Sequence, residues 1–384
     1  MRPLLRKLSF IAGPLIGVIM VLVIFGAWEP QTFLTTAAFR NVFQNNYHIL
    51  IAAVGATFVI VTGGIDLSVG STMALASVCC SAAAAGGTMP EFDAQRAVVV
   101  AGAAAILAAM CAGGWGLQLG WTRKRLALAC ITAAISLACV ALAGWALIGG
   151  RTLGGLPVPL AIFAGIAVGL LVGVLNGILV TSLTLPPFIV TLATLGAVRG
   201  LTLYVTGGLP VRMPQGVTSK LSSLHYEPAL LGISLNLWIA IGVVVIAIPL
   251  LHATIIGRYA YAIGSNERTA RLCGVRVERW KILCYVIAGG AAGLAGALMT
   301  STLGGRPSNF EGLELNAIAA VVIGGTSLFG GEGTIVGSAL GVLMLGFLNT
   351  GCTIAGLSSY VQPIFIGFTI VIAAAIDRFR HLVS

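Results

Sequence analysis

Long apolar runs separated by short polar segments make up most of this chain of 384 residues. A helix needs about 20 consecutive apolar residues to cross the hydrocarbon core of a bilayer, and many of these runs approach that length. We count twelve candidate spans, two of them short, near residues 10–28, 42–62, 71–87, 97–119, 126–149, 158–182, 188–206, 233–253, 282–303, 316–330, 333–350 and 360–377. The pattern therefore predicts an all-α fold, a polytopic helical bundle in a membrane with no soluble domain embedded in it.

The composition supports a membrane protein and excludes a nucleic-acid binder. Hydrophobic residues make up 58% of the chain and charged residues 8%, whereas soluble domains carry about 25% charged residues. The net charge is +10, but the basic residues lie in short segments between apolar runs, as signals for cytoplasmic retention do. An even number of spans, together with the basic segments 121–125 and 254–281, predicts that both termini are cytoplasmic. The eight cysteines form no CxxC pair and the four histidines are scattered, so we expect neither a disulfide nor a metal site.

One interruption of the apolar pattern stands out, the segment Thr62-Gly63-Gly64-Ile65-Asp66-Leu67-Ser68-Val69-Gly70. Two adjacent glycines break the helical pattern, and a carboxylate within the membrane costs about 2.5–3.5 kcal/mol. Two interpretations stay open and are compatible. Asp66 or Ser68 caps the helix that starts near Val69, or the break lines a water-filled path and presents these polar groups to a solute.

A second interruption has the same spacing as the first. The positions Gly63, Gly64, Leu67 and Gly70 match Gly324, Gly325, Leu328 and Gly331. Transporters often carry paired interruptions in their two halves, although four matches in a glycine-rich chain also arise by chance. The candidate residues of a substrate pathway are therefore Gly63, Gly64, Asp66, Ser68, Gly324, Gly325, Thr326 and Ser327.

The polar segment 254–281 carries six basic residues and a predicted short helix from about Asn266 to Cys273. Asn266 is a suitable N-cap, Glu267 complements the positive end of the helix dipole, and Gly274 suits the exit from the last turn. The segment is either a solvated loop that follows the charge rule or a helix that docks on a cytoplasmic partner.

Four blocks of sequence, spread in order over most of the chain, form a recognisable set. They are the run Gly64–Ser71, the run Pro187–Leu192 with Arg199-Gly200, the segment Gly257–Gly274 and the run Leu315–Leu328 with Gly330, Gly331 and Gly333. Together they resemble the membrane permease subunits of bacterial ABC importers for sugars, of the ribose-permease type. Any one block alone is weak, and the set is specific.

The resemblance implies a multi-pass protein of the bacterial inner membrane that moves sugar by alternating access and has no motor of its own. Its implied partners are cytoplasmic ATP-binding subunits, a periplasmic sugar-binding protein and a second permease subunit, identical or different. ATP and Mg²⁺ belong to the partner, and the sequence contains no GxxxxGK[ST] phosphate loop. The implied ATPase-coupling residues are Arg258, Asn266, Glu267, Ala270, Arg271 and Gly274. The family's Glu-Ala-Ala pattern is altered here, since Arg268 and Thr269 replace the two alanines.

Residues 97–150 have no counterpart in the family, whose members have about ten spans. We expect them to form an inserted helical hairpin around Arg123-Lys124-Arg125 within a single permease domain over residues 1–384. Two extra spans preserve the topology of everything that follows.

Three other functions are alternatives to a sugar permease. A branched-chain amino acid or nucleoside permease shares the general pattern of the sugar permeases. An ion-coupled carrier needs several ionisable residues within its spans, and this chain has essentially Asp66 alone. For a sugar path, Asp66 is the clearest charge and Arg199 is another candidate, unless Arg199 lies at a helix end and snorkels. A membrane enzyme needs clustered acids or histidines, which the sequence lacks.

Overall fold

The computed structural model describes residues 2–86, 155–230, 232–358, 363–364 and 367–368, with side chains from Gly13 onward. The predicted hairpin 97–150 and nearly all of the predicted span 360–377 lie outside the described residues. The described part contains fourteen helices and two short strands: α1 (Arg2–Trp28), α2 (Pro30–Phe33), α3 (Thr36–Asn45), α4 (Tyr47–Val61), α5 (Val69–Ala85), α6 (Val158–Ser182), α7 (Pro187–Thr206), α8 (Gln215–Tyr226), β1 (Pro228–Leu230), β2 (Ile233–Ser234), α9 (Leu235–His252), α10 (Ile255–Ser265), α11 (Glu267–Leu272), α12 (Val277–Leu303), α13 (Leu313–Ile323) and α14 (Ile335–Ile354).

The helical, polytopic character of the chain is confirmed, but not every predicted span is a full one. Within the described ranges, α6, α7, α9, α12 and α14 are long and apolar enough to cross a membrane, and α3 with α4 counts as a sixth despite a 49° bend. Helix α13 has 11 residues. Such a helix is about 16 Å long, roughly half of the hydrocarbon thickness. The prediction of a span over 316–330 is therefore wrong in extent, because the helix stops at Ile323.

The chain divides into two compact units. The first comprises Met1–Ile65, Pro228–Trp280 and Gly312–Ser384, and the second comprises Asp66–Glu227 and Lys281–Glu311. The boundary falls inside the first break of the sequence, between Ile65 and Asp66. Neither unit is a continuous half of the chain.

Helix α14 lies at the centre of the first unit and packs against α1, α3, α4, α9 and α13. Its Phe347 ring is surrounded by the rings of Phe33, Phe39 and Phe43 at centroid distances of 5.1 to 6.4 Å. On another face, a Cβ at Gly341 would lie 1.9 Å from the Ala320 carbonyl oxygen, so α13 and α14 approach backbone to backbone. Glycine permits this approach, which supplies packing where lipid gives no hydrophobic drive.

Helix α5 is the core of the second unit, and all of its 17 residues are buried. It packs against α6 and α7, and Gly296 of α12 approaches its backbone closely. Helix α6 carries a glycine at every fourth position, in the order Gly165, Gly169, Gly173 and Gly177. These four glycines face α12, and a Cβ at Gly173 would lie 2.3 Å from the Tyr285 carbonyl oxygen.

Two connecting segments contain structure that the apolar pattern does not predict. The segment 207–232, predicted as a loop, contains helix α8, strand β1 and the turn into β2. Leu221 of α8 is 1% exposed and packs on residues of α5 and α6, and this burial stabilises the helix. Helix α12 starts at Val277, five residues before the predicted start at 282.

Candidate functional site

The first break begins where α4 ends in a Schellman motif. The Gly63 N–H donates to the Ile60 carbonyl oxygen at 2.8 Å, and the Gly64 N–H donates to the Val59 carbonyl oxygen at 3.1 Å. This pattern requires a left-handed residue, and Gly63 has φ +78°. The glycine pair therefore ends the helix and satisfies its last carbonyl groups.

Asp66 and Ser68 form a tight turn before α5. Asp66 is 4% exposed, and its Oδ1 accepts from the Ser68 N–H at 2.9 Å and from the Ser68 Oγ–H at 2.6 Å. The Ser68 side chain makes no capping bond to α5, so the capping prediction is wrong for Ser68, whereas the Asp66 Oδ1 accepts from the backbone N–H directly before α5. The reason is local: Ser68 has φ −80° and ψ −3°, whereas a capping residue normally has extended backbone angles that aim its oxygen at the following N–H groups.

Two further polar residues, which the sequence pattern did not single out, lie beside this turn. Asn176 of α6 is fully buried and donates from Nδ2 to the Ser68 Oγ at 2.8 Å. Its Oδ1 and the hydroxyl of the buried Tyr285 have no hydrogen-bond partner among the described residues. Tyr285 lies close enough to Asp66 for an electrostatic interaction. We call Asp66, Ser68, Asn176 and Tyr285 the Asp66 cluster.

Unpartnered polar atoms at this depth are costly, so the Asp66 cluster has unused capacity to bind hydroxyl or amide groups. The only sequence signal for Asn176 was an isolated amide in a long apolar run. Tyr285 had no such signal, because its position follows from the packing of α12 on α6.

The second break repeats the Schellman motif of the first. The Gly325 N–H donates to the Val322 carbonyl oxygen at 2.9 Å, the Thr326 N–H donates to the Val321 carbonyl oxygen at 3.2 Å, and Gly325 has φ +86°. The two helix ends thus equate Gly63 with Gly325, whereas the sequence match pairs Gly63 with Gly324. The two breaks are alike in type, one residue out of the predicted register.

Polar side chains of the second break are buried. Thr326 is 2% exposed, and its Oγ1 has no hydrogen-bond partner in the described part of the chain. The Ser327 Oγ accepts from the Phe329 N–H at 3.3 Å, and the Ser327 N–H donates to the Glu332 carbonyl oxygen at 3.1 Å. These bonds fold the segment after α13 into a compact turn.

The two breaks touch each other and the end of α10. The Gly331 N–H donates to the Val61 carbonyl oxygen at 2.9 Å, and a Cβ at Gly330 would lie 2.7 Å from the Gly63 nitrogen. A Cβ at Gly264 of α10 would lie 1.9 Å from the Val61 oxygen. We call Gly63, Gly264, Gly330 and Gly331 the glycine junction.

The predicted short helix in the segment 254–281 is confirmed as α11. The Asn266 Oδ1 accepts from the Thr269 N–H at 2.9 Å, as an N-cap does. Gly274 has φ +83°, and its N–H donates to the Arg271 carbonyl oxygen at 3.1 Å. Asn266 also ends α10, so the segment is two helices joined by one residue. Arg258, the remaining predicted coupling residue, is exposed on α10.

An ion-pair clamp and a small core fix α11 in place. Arg271 bonds Glu267 at 3.2 Å and also bonds Glu278 at the start of α12. The hydrogen bond to Glu278, with that to Glu267, raises the pKa of Arg271 above its ordinary value. Ala270 is buried in a cluster with Ile263 of α10 and Val277 of α12.

Leu272 at the tip of α11 is 81% exposed, although it is a large apolar residue on a polar segment. Sequence reasoning did not select it, because a single leucine among charged residues is an ordinary helix position.

Arg199 lies on α7, and its side chain is 27% exposed. Its Nε is 4.0 Å from the Glu311 Oε1, and the glutamate side chain is 65% exposed. Exposed pairs at this distance contribute little.

Comparisons with known proteins give one consistent picture. The family model for branched-chain amino acid transport system permease components matches residues 127–374. The ribose import permease protein RbsC of Bacillus subtilis (strain 168) is 35% identical over 368 residues, covering 95% of this chain and 92% of the relative. That of Escherichia coli (strain K12) is 32% identical over 365 residues, covering 95% and 92%. The autoinducer 2 import system permease protein LsrC of Salmonella choleraesuis (strain SC-B67) is 31% identical over 335 residues, covering 87% and 76%. No solved structure matches the chain significantly.

Proposed function

Since this chain belongs to the family of branched-chain amino acid transport system permease components, we propose that it is the permease subunit of an ATP-driven importer for a ribose-type sugar. It is a multi-pass protein of the inner membrane and a transport component rather than an enzyme. The observation that carries the sugar assignment is the 35% identity to a ribose import permease over 95% of the chain. The family description alone would favour a branched-chain amino acid.

The Asp66 cluster supports a polar, uncharged solute. It offers a carboxylate, two hydroxyls and an amide, the groups that hydrogen-bond the hydroxyls of a sugar. Asp66 is the single charged residue of the cluster. An amino acid solute carries both an ammonium and a carboxylate group, and its carboxylate would find no cationic partner in the cluster. Under this proposal the Asp66 cluster meets the sugar during translocation.

The breaks that contain Gly63, Gly64, Gly324 and Gly325 supply irregular backbone of the kind that membrane proteins keep where it lines a path or is covered by protein. Thr326 is the second break's candidate for solute contact, because its buried hydroxyl has no partner within the described residues. Ser327 serves the turn itself through its bond from Phe329.

The motor is separate and docks on the segment 254–281. Helix α11 is capped, clamped and packed, yet its apolar tip Leu272 is exposed, which fits insertion into a groove of a cytoplasmic ATP-binding subunit. ATP and Mg²⁺ are used there. A second permease subunit and a periplasmic sugar-binding protein complete the complex, and both termini face the cytoplasm.

The first test is co-purification from the native host after mild crosslinking, with partners identified by mass spectrometry. We expect an ATPase subunit and a periplasmic sugar-binding protein. Leu272→Glu places a charge at the exposed tip without disturbing packing. We expect this variant to be expressed normally but to co-purify without the ATPase subunit. Leu230→Glu is the matched control, because Leu230 is 62% exposed on β1, in a segment expected outside the cytoplasm. Recovery of the chain alone from well-folded material contradicts the proposal.

The second test is ATP-dependent uptake by the reconstituted complex of ribose, leucine or a nucleoside. Uptake of ribose alone supports the sugar assignment, and uptake of leucine alone overturns it. Asp66→Asn keeps an oxygen that accepts from Ser68, whereas Asp66→Ala removes it. We expect both variants to lose uptake. If Asp66→Asn transports normally, the carboxylate charge has no part in translocation and the residue is architectural.

A further inference from the structure

Helix α10 makes contacts that its sequence does not predict. It is an 11-residue helix between the long helix α9 and the short helix α11. Its apolar positions explain why it packs, but not why its Gly264 and Tyr261 each reach the breaks of other helices.

Gly264 lies against the hydrogen bond that joins the two breaks. A Cβ on this residue would lie 1.9 Å from the Val61 oxygen and 2.4 Å from the Gly331 nitrogen, the two atoms of that bond. Both are backbone atoms that cannot move without moving their segments. The α carbon of Gly264 also lies 3.0 Å from the Cβ position of Gly330. Three backbone segments therefore meet with no side chain between them.

Tyr261 makes the second contact, one turn earlier on α10. Its hydroxyl donates to the Gly333 carbonyl oxygen at 2.6 Å. Gly333 immediately precedes Thr334, the N-cap of α14, whose Oγ1 accepts from the Gly337 N–H. Burial raises the pKa of Tyr261 to about 12, so the phenol stays a donor at physiological pH. The bond ties α10 to the start of α14.

Helix α10 is also packed against α11, the helix that we propose docks the motor. Ile263 of α10, Ala270 of α11 and Val277 of α12 form one buried cluster, with Trp280 packed against it. The Tyr259 ring lies 4.8 Å from the Trp280 ring. Close-packed interfaces of this kind transmit displacement rather than absorbing it. A force on Leu272 thus reaches α10 through packed side chains.

We infer that Tyr261 and Gly264 are positioning residues that transmit the movement of the docking segment to both breaks. The inference rests on the proposed function, because it assumes a motor at α11. Its new content is the joint itself. The glycine junction moves the end of α4 and the segment between α13 and α14 as one body with α10, while the Tyr261 bond carries the start of α14 with them.

This arrangement differs from a purely structural role in one measurable way. A residue that only stabilises the fold changes how much active complex is present, which scales ATP hydrolysis and uptake together. A residue that transmits movement changes the number of solute molecules moved per ATP hydrolysed. The ratio of uptake to hydrolysis is therefore the required measurement.

The experiment uses the full complex in proteoliposomes, with binding protein and ribose, and measures ATP hydrolysis and uptake in the same vesicles. Tyr261→Phe removes one hydroxyl and keeps the ring, so folding is preserved. We expect uptake per ATP to fall about five- to tenfold, the factor that corresponds to the net loss of one hydrogen bond. Gly264→Ala adds a methyl group at the junction and is expected to lower the ratio further.

The matched control lies in the same unit, outside the docking segment. Gly242→Ala adds a methyl group on α9 where nothing lies within 4 Å. This variant is expected to keep the wild-type ratio. A wild-type ratio in Tyr261→Phe overturns the inference even if Gly264→Ala fails to fold. Absence of ATP-dependent uptake in the wild-type complex instead overturns the proposed function, so the two failures are distinguishable.

Discussion

Replacing Gly169 by alanine tests how the second unit is held together. Helix α6 meets α12 through its four-residue glycine stripe, and a Cβ at Gly169 would lie 2.2 Å from the Gly289 carbonyl oxygen and 2.6 Å from the Gly293 α carbon. Both are backbone atoms, so no side chain can turn away. Ordinary contact begins at 3.4 Å, and the two helices must therefore separate locally by roughly 1 Å.

The expected cost follows from two opposing effects. Forcing an extra methyl group into a packed interface costs about 1–3 kcal/mol. Alanine has a higher helix propensity than glycine, and this stabilises the folded state by up to about 1 kcal/mol. The net loss is about 1–2 kcal/mol, which lowers the ratio of folded to unfolded protein by about 5- to 30-fold.

The matched control is Gly196→Ala on α7, where an added Cβ meets nothing within 4 Å. This variant gains helix propensity without a clash, so its stability is expected to equal or exceed that of the wild type by up to about 1 kcal/mol. The assay is equilibrium unfolding of the purified protein in mixed micelles with increasing sodium dodecyl sulfate. If Gly169→Ala unfolds at the same detergent fraction as Gly196→Ala, the stripe does not set the helix separation and the reasoning is refuted.

Three further outcomes follow from single contacts. Asn266→Ala removes the acceptor for the Thr269 N–H and is expected to destabilise α11 by about 1 kcal/mol, seen as faster amide exchange in that helix, whereas Asn266→Asp keeps protection. Thr57→Val removes a buried hydrogen bond of 2.8 Å to Ser338. We expect it to lower the free energy of unfolding in the micelle assay by about 0.6 kcal/mol. An unchanged free energy of unfolding would show that the bond does not stabilise the protein. Burial is expected to raise the pKa of the Tyr261 phenol to about 12. The measurement is the phenolate absorbance difference between the wild type and Tyr261→Phe as the pH is raised. Ionisation near pH 10 would show that the phenol is exposed to solvent.

Local chemistry explains why the segment around α11 was predictable. An N-capping amide, an acidic first turn and a glycine exit act within one or two helical turns, so Asn266, Glu267 and Gly274 specify the helix wherever it lies. The same holds for the first break, where Gly63 ends α4 through bonds to residues three to five positions earlier. Asp66 was the exception, because its turn depends on the backbone angles of Ser68, which the residue type does not fix.

The register of the two breaks shows the limit of pattern matching. Identical residues aligned Gly63 with Gly324, but a helix ends where a left-handed residue can complete its last bonds, and in the second break that residue is Gly325. A match of letters cannot distinguish the capping glycine from its neighbour when both are glycines.

By itself the sequence determined the class of protein, its helical nature, the two breaks, the capped helix α11 and the likeness to sugar permeases, because each depends on composition or on residues close together in the chain. Only the tertiary structure decided that α10 meets both breaks at the glycine junction, that Asn176 and Tyr285 join Asp66, and that α13 is too short to be a full span. These features depend on contacts between residues far apart in sequence. A glycine lets another backbone approach closely but does not specify which helix packs there. The packing of whole helices selects the partner.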